Sequence, residues 1–166
     1  MPTPTREEME KFFQKDTTKH VDRVSEIMGS VSREIYTRGQ LHDASKFNEP
    51  EKSFYIEPVW NLNNPDSKIK FGTMEHKEQT KAMGPGWDHH KQTNDHHTEH
   101  FGGEDPVSKM NLIQLLEMCA DWISASERKG NDPLLALEDK DDRFSPQMKK
   151  VISNTVRHLQ KSAPRE

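Results

Sequence analysis

The stretch WDHHKQTNDHHTEH, Trp87 to His100, holds five of the chain's nine histidines within fourteen positions. Imidazole changes charge near neutral pH and offers a lone pair to a cation, so such a run fits metal ligation, proton transfer or hydrogen bonding to a phosphate. Upstream, His42 and Asp43 are neighbours. They set an imidazole beside a carboxylate, a mixed donor pair that suits Mn, Fe, Co, Ni or Zn better than Mg, which prefers oxygen alone. Downstream, Asp121 interrupts an apolar run. Burying it unpaired would cost roughly several kcal/mol, so a cation or a hydrogen-bond network is expected beside it. The single cysteine, Cys119, excludes both an internal disulfide and a cysteine-based zinc site, which leaves His, Asp and Glu as the ligand types.

The elements that must carry these residues are read as helices. Only 30% of the chain is hydrophobic while 31% is charged, so the core must be lean, and helices with one narrow apolar stripe make the most of few apolar residues. The expectation is an all-α fold, a compact helical bundle forming a single domain over residues 1–166. A short opening helix is expected over Thr5 to Lys15. A second runs from about Thr17 to a stop at Gly39, with Val21, Val24, Met28, Val31 and Ile35 at helical spacing and His20 one turn before Val24. His42 and Asp43 are placed on a short helical segment, about 100° apart around its axis. Another helix starts near Glu49 and ends before Pro58, with Glu49 and Glu51 as its initial charges. Asn61 to Gly72 reads as a surface loop able to act as a lid, and Thr73 to Met83 as a helix. The clearest helix spans Ser108 to Lys129, with Leu112, Leu115, Leu116, Cys119, Trp122 and Ile123 as its stripe. Ser145-Pro146 opens a last helix bearing Met148, Val151, Ile152, Val156 and Leu159.

For the histidine-rich stretch, the GPG at Gly84 to Gly86 acts as a separator and the residues after it form a helix. On such a helix His90, Asn94 and His97 share one face at i, i+4 and i+7, while His89, His96 and His100 share the adjoining one. Spacing leaves open which face looks inward. It also leaves open whether that face ligates a metal or serves substrate. Trp87 beside them is assigned to packing ahead of stacking on a substrate ring.

The order His20, His42-Asp43, Asp121 on successive helices resembles the HD-domain metal-dependent phosphohydrolase superfamily, and HDASK is similar to its HD-x-x-K form. The resemblance covers about residues 17–128. More narrowly, HDASKF, HHKQTNDHHTEHF and LLEMCADW together resemble an uncharacterised family of small HD-like proteins from bacteria and phages. The wider resemblance implies a helical domain of HD type, one or two divalent transition-metal ions and hydrolysis of phosphate esters. It implies His20, His42, Asp43 and Asp121 as ligands of the main metal, with Lys46 facing substrate phosphate. Some HD enzymes hold a second metal with two added histidines, for which His90 and His97 are the candidates and His89 and His96 the alternative. Asp43, Lys46, His90 and His97 thus form the expected catalytic set, and Lys46, Asn94, His89 and His96 the expected substrate contacts.

The expected reaction is hydrolysis of a small phosphorylated metabolite such as a nucleotide, because a divalent cation neutralises phosphoryl oxygens and lowers the pKa of water from about 15.7 to about 7. Two alternatives stand beside it: an HD-fold di-iron oxygenase, and a non-catalytic binding or regulatory protein that uses metal for stability. A net charge of -4 and a pI near 6.1 argue against nucleic acid as a partner. No apolar run approaches the roughly 20 residues of a membrane span, and MPTPTREEMEKFF lacks a signal peptide's basic start and apolar centre, so a cytoplasmic location is expected. Metal identity and oligomeric state are open at this level.

Overall fold

A computed structural model of the protein describes residues 3–70, 72–128, 130–138 and 143–162. Every regular element among them is helical, so the fold is all-α. The chain divides into two units, Met1–Leu41 and His42–Glu166.

The first unit is one helix, α1 (Arg6–Leu41), whose 36 residues span about 54 Å at the standard rise. Two helices were expected there. The Asp16-Thr17-Thr18 stretch has only weak helix propensity, worth tenths of a kcal/mol per residue, and without Gly or Pro it does not break the chain. The start is fixed by a reciprocal cap. The Glu8 amide donates to Thr5 Oγ1 at 3.3 Å and the Thr5 amide donates to Glu8 Oε2 at 2.7 Å. Gly39 does not stop the helix but stays inside it. The left-handed residue falls four positions later, at Asp43, with φ 58°.

The second unit opens with a 3-10 turn, Ala44–Phe47, and continues through α2 (Glu51–Asn63), α3 (Met74–Ala82) and α4 (Gly84–Thr93). After two more 3-10 turns come α5 (Leu112–Glu127), α6 (Leu135–Glu138) and α7 (Pro146–Ser162). Helices α2, α3 and α4 pack on one another and α5 packs on α7. Against expectation, α2 runs through Pro58 and absorbs the start of the supposed loop. The ring is buried, and the lost N–H removes only one hydrogen bond from a helix held by its neighbours.

The apolar core belongs to the α5/α7 side. Leu115, Met118, Cys119 and Ile123 meet Ile152 and Val156, with Val107, Leu137 and Phe144 closing the edges. Leu112 and Val151, expected in the stripes, are exposed instead, at 77% and 49%. Leu112 is on the apolar face but is the first residue of α5, at the end of the contact, and Val151 lies outside the arc set by Ile152 and Val156. Asn111 caps α5 with a full capping box to Gln114, and Ser145 Oγ accepts from the Met148 amide at 3.2 Å at the start of α7. The expected α5 end at Lys129 lies outside the described residues. No described helix is long and apolar enough to cross a membrane.

One consequence of helical geometry positions the site. Gln114, Glu117 and Asp121, at i, i+3 and i+7, form a polar strip on α5 next to its apolar strip. While the apolar strip faces α7, the polar one meets the Asp43 turn and the loop after α4.

Candidate metal centre

The GPG segment does not precede α4 but begins it. Pro85 occupies the first turn, where its missing N–H has no partner to lose. Gly86 is buried where α2 crosses. A Cβ built there would lie 2.7 Å from Phe54 Cβ and 3.4 Å from Tyr55 Cε2, so only glycine allows the two helices this close. One turn later, that approach delivers His90 to the interior.

Helix α4 then stops at Thr93, within the histidine stretch that was expected to be helical throughout. Asn94 leaves it in an extended conformation, and its side-chain amide donates to the His90 carbonyl at 2.9 Å. This ends the helix by competing for its last carbonyls. The Asn94–His97 turn follows, closed by the His97 amide on the Asn94 carbonyl at 3.1 Å. It is tied to α5 where Gln114 Nε2 donates to Asp95 Oδ2 at 2.7 Å. Adjacent histidines on a helix would diverge by about 100°. On this turn His96 and His97 both look inward beside His90, so the two alternative helical faces do not exist. The structure brings together His90, His96 and His97. His89 turns to Glu51 at 2.9 Å, and exposed His100 donates to the Gln92 carbonyl at 2.6 Å.

Asp43 is the hub. Its Oδ1 lies 3.0 Å from His90 Nε2, 3.6 Å from His96 Nε2 and 3.5 Å from His42 Nε2. His42 Nε2 lies in turn 3.5 Å from Asp121 Oδ1. One ligand atom each from Asp43, His90, His96 and His97 fall within 4.8 Å of one another. Two donors bound to one first-row ion at about 2.1 Å stand about 3.0 Å apart at a right angle and about 3.4 Å apart at the tetrahedral angle. The 3.0 Å Asp43–His90 spacing falls in that range, and the 3.5–3.6 Å spacings of Asp43 to His42 and His96 and of His42 to Asp121 lie just above it. Asp43 Oδ1 and the Nε2 atoms of His90, His96 and His97 are buried and make no hydrogen bond among the described residues. Orphaned polar atoms are costly inside a protein. Four converging on one point fit a shared cation.

The donor set is also in the right protonation states. Burial pushes the Asp43 carboxyl up, but the His90, Lys46 and His42 side chains around it outweigh that and hold it well below the usual carboxylate range. Asp121 is likewise held down by His42 against the effect of burial. Burial, then the neighbouring His96 and His90, pushes His97 down to about 4. His96 is lowered by burial and by His42. Both therefore keep a free lone pair at neutral pH, which ligation requires. His42 differs: Asp121 first and Glu117 second push it up to about 10. Asp43 also holds a left-handed backbone, a conformation of about 1 kcal/mol cost or more that proteins keep chiefly at functional positions.

Lys46, on the 3-10 turn, pairs with Asp43 Oδ2 and stands 5.7 Å from the Tyr55 ring centre. Asn94 supports His90 and does not face the centre. Trp87 stacks on His90 at 5.6 Å, meets His97 edge-on at 5.4 Å and carries Lys91 Nζ at 5.6 Å. These contacts occupy the ring, in line with a packing role. His20 sits on α1 in the first unit, whereas all the contacts above arise within the second.

Sequence reading missed two acids. Glu51, read as a helix-start charge, is fully buried and bonded to His89 and His90. Glu117 is bonded to His42 Nδ1 at 2.9 Å and lies 3.3 Å from His96 Nδ1. Glu117 had a usable signal, since it lies one turn before Asp121 on the same face. Glu51 had none, because its sequence neighbours Lys52 and Ser53 are those of an ordinary solvated helix start.

No curated protein and no solved structure matches this chain. A family model does match, over residues 9–158, and the chain belongs to that family, the family of unknown function DUF5662.

Proposed function

We propose that this protein is a metal-dependent phosphohydrolase acting on a small phosphorylated metabolite, with nucleotides the first class to test. The observation that carries the metal part is the convergence of four buried, unpartnered donors, Asp43 Oδ1 and the Nε2 atoms of His90, His96 and His97. His42 and Asp121 extend the set on the other side of Asp43. Asp43 would be shared between two subsites: His42 and Asp121 on one side, and the three clustered histidines on the other. Mn, Fe, Co, Ni or Zn suits these ligands. When bound, such an ion supplies positive charge for phosphoryl oxygens and makes water a competent nucleophile near neutral pH.

The chain's own residues support a phosphate-bearing substrate. The Lys46 ammonium stands against the hub carboxylate, a cation beside the cluster that a phosphate dianion would meet. The water oxygen bonds to phosphorus as the ester P–O bond breaks, and one of the water's protons passes to the leaving oxygen. Lys46 holds a nonbridging oxygen during this step, and Trp87 with the buried histidines limits the water that can enter.

The test is phosphate release from a panel of nucleotides and sugar phosphates by protein loaded in turn with each of the five ions. Turnover is expected with at least one ion, and Asp43→Asn should abolish it while leaving helix content unchanged. Full metal occupancy with no turnover on any substrate would refute hydrolysis and favour a metal-stabilised binding protein. A second reading, a di-iron oxygenase, draws on the same shared carboxylate and the excess of imidazole ligands. Oxygen uptake by protein loaded anaerobically with iron separates it from the first.

A further inference from the structure

The metal reading leaves two carboxylates without a role, one fully buried and one part-buried, and they share one arrangement. Glu51 is 0% exposed. Its Oε2 lies 3.0 Å from His90 Nδ1 and accepts from Ser45 Oγ at 2.9 Å, while its Oε1 lies 2.9 Å from His89 Nδ1. A proton count fixes the His90 ring. The two Asn94 amide hydrogens go to Ser45 Oγ at 2.8 Å and to the His90 carbonyl at 2.9 Å, and the one Ser45 hydroxyl hydrogen goes to Glu51. Asn94 Nδ2 and Ser45 Oγ also lie 3.0 and 3.2 Å from His90 Nδ1, but their hydrogens have these shorter contacts, and the ionised carboxylate 3.0 Å away can only accept. Nδ1 must therefore carry the hydrogen and give it to Glu51. Nε2, 3.0 Å from Asp43 Oδ1, then carries the lone pair.

Glu117 repeats the pattern. Its Oε1 meets His42 Nδ1 at 2.9 Å and His96 Nδ1 at 3.3 Å, and both rings turn Nε2 toward Asp43. His42, Glu117 and His96 could themselves be grouped around an ion. The geometry argues otherwise: Glu117 meets both rings through Nδ1, on the side away from the Nε2 atoms that face Asp43.

We propose that Glu51 is a positioning residue for the metal centre, with Glu117 its counterpart on α5: each locks imidazoles through Nδ1 so that only Nε2 faces the metal. This rests on the metal reading above and deepens it. A carboxylate on the far nitrogen also raises the basicity of the ligating one. The two acids thus hold three of the four inward-facing rings in place.

The experiment combines Co(II) titration, followed by its visible ligand-field bands, with nitrogen-15 NMR of histidine side chains in chelated protein at alkaline pH. His90 is expected as the Nδ1–H tautomer. Glu51→Gln is expected to weaken Co(II) binding about 10- to 100-fold and to shift the bands, because an amide can accept the Nδ1 hydrogen without raising basicity. A purely structural acid would change melting and leave the bands of the bound ion alone. Wild-type protein that binds no Co(II) would overturn the metal reading and this inference with it. Co(II) binding that is unaltered in Glu51→Gln would overturn this inference alone. An Nε2–H tautomer at His90 would do the same, and it needs no variant to fold.

Discussion

Gly86→Ala should damage the proposed metal centre without touching any of the side chains grouped around Asp43. The new Cβ would stand 2.7 Å from Phe54 Cβ, an atom rooted on the α2 backbone that cannot rotate away, whereas ordinary contact begins near 3.4 Å. Helices α2 and α4 must therefore part by about 0.7 Å. Overpacking of this size costs about 1–3 kcal/mol, or about 2–12 °C in melting temperature. His90 lies one turn along α4 from Gly86, and its contact to Glu51 on α2 is 3.0 Å. If the separation passes along the helix, that contact opens to about 3.7 Å, beyond hydrogen-bond reach. The assay is thermal melting of chelated protein together with Co(II) titration of the same sample. Gly84→Ala is the control, because its Cβ would meet nothing within 4 Å, and it should melt at or slightly above the wild-type temperature. A Gly86→Ala protein that melts within a degree of wild type and binds Co(II) as tightly would refute the claim that helix proximity positions His90.

In chelated protein, stability should fall as pH rises from about 6.5 to about 10, because folded His42 keeps its proton there while the unfolded chain has released it. That contribution is complete below 6.5 and gone above 10. His42→Gln should flatten this limb in denaturant melts, and an unchanged limb would show that His42 does not carry it. Asn111→Ala removes the capping box of α5 and should cost about 1 kcal/mol in urea unfolding. An unaltered urea midpoint would count against that cap as a source of stability.

The all-α class was legible in the sequence because helical periodicity is local. The α5 and α7 stripes, the Ser145-Pro146 start and the isolation of Asp121 in an apolar run all follow from spacing within a few turns. Most of the side chains that gather around Asp43 stood out in the sequence for a related reason: a carboxylate in an apolar stripe and a dense run of imidazole are chemically anomalous wherever they occur. The break at Asn94 was harder. Nothing in KQTNDHH forbids a helix, and the turn forms because the Asn94 amide finds the His90 carbonyl and Ser45 while Asp95 finds Gln114 on α5.

The sequence alone therefore determined which side chains this protein could bring to a cation, but not which atoms would meet. Donor convergence is a property of tertiary packing. It depends on Gly86 letting α2 and α4 approach, on a left-handed Asp43 aiming Oδ1 at three imidazoles, and on α5 presenting Glu117 and Asp121 along a strip set apart from its core face. Glu51 is the clearest case. On the chain it is one acid among 28 acidic residues, with neighbours typical of a solvated helix start. Only the fold gives it His89, His90 and Ser45 as partners and removes it from water, because those contacts join residues 6 to 39 positions apart, beyond what a local pattern can encode.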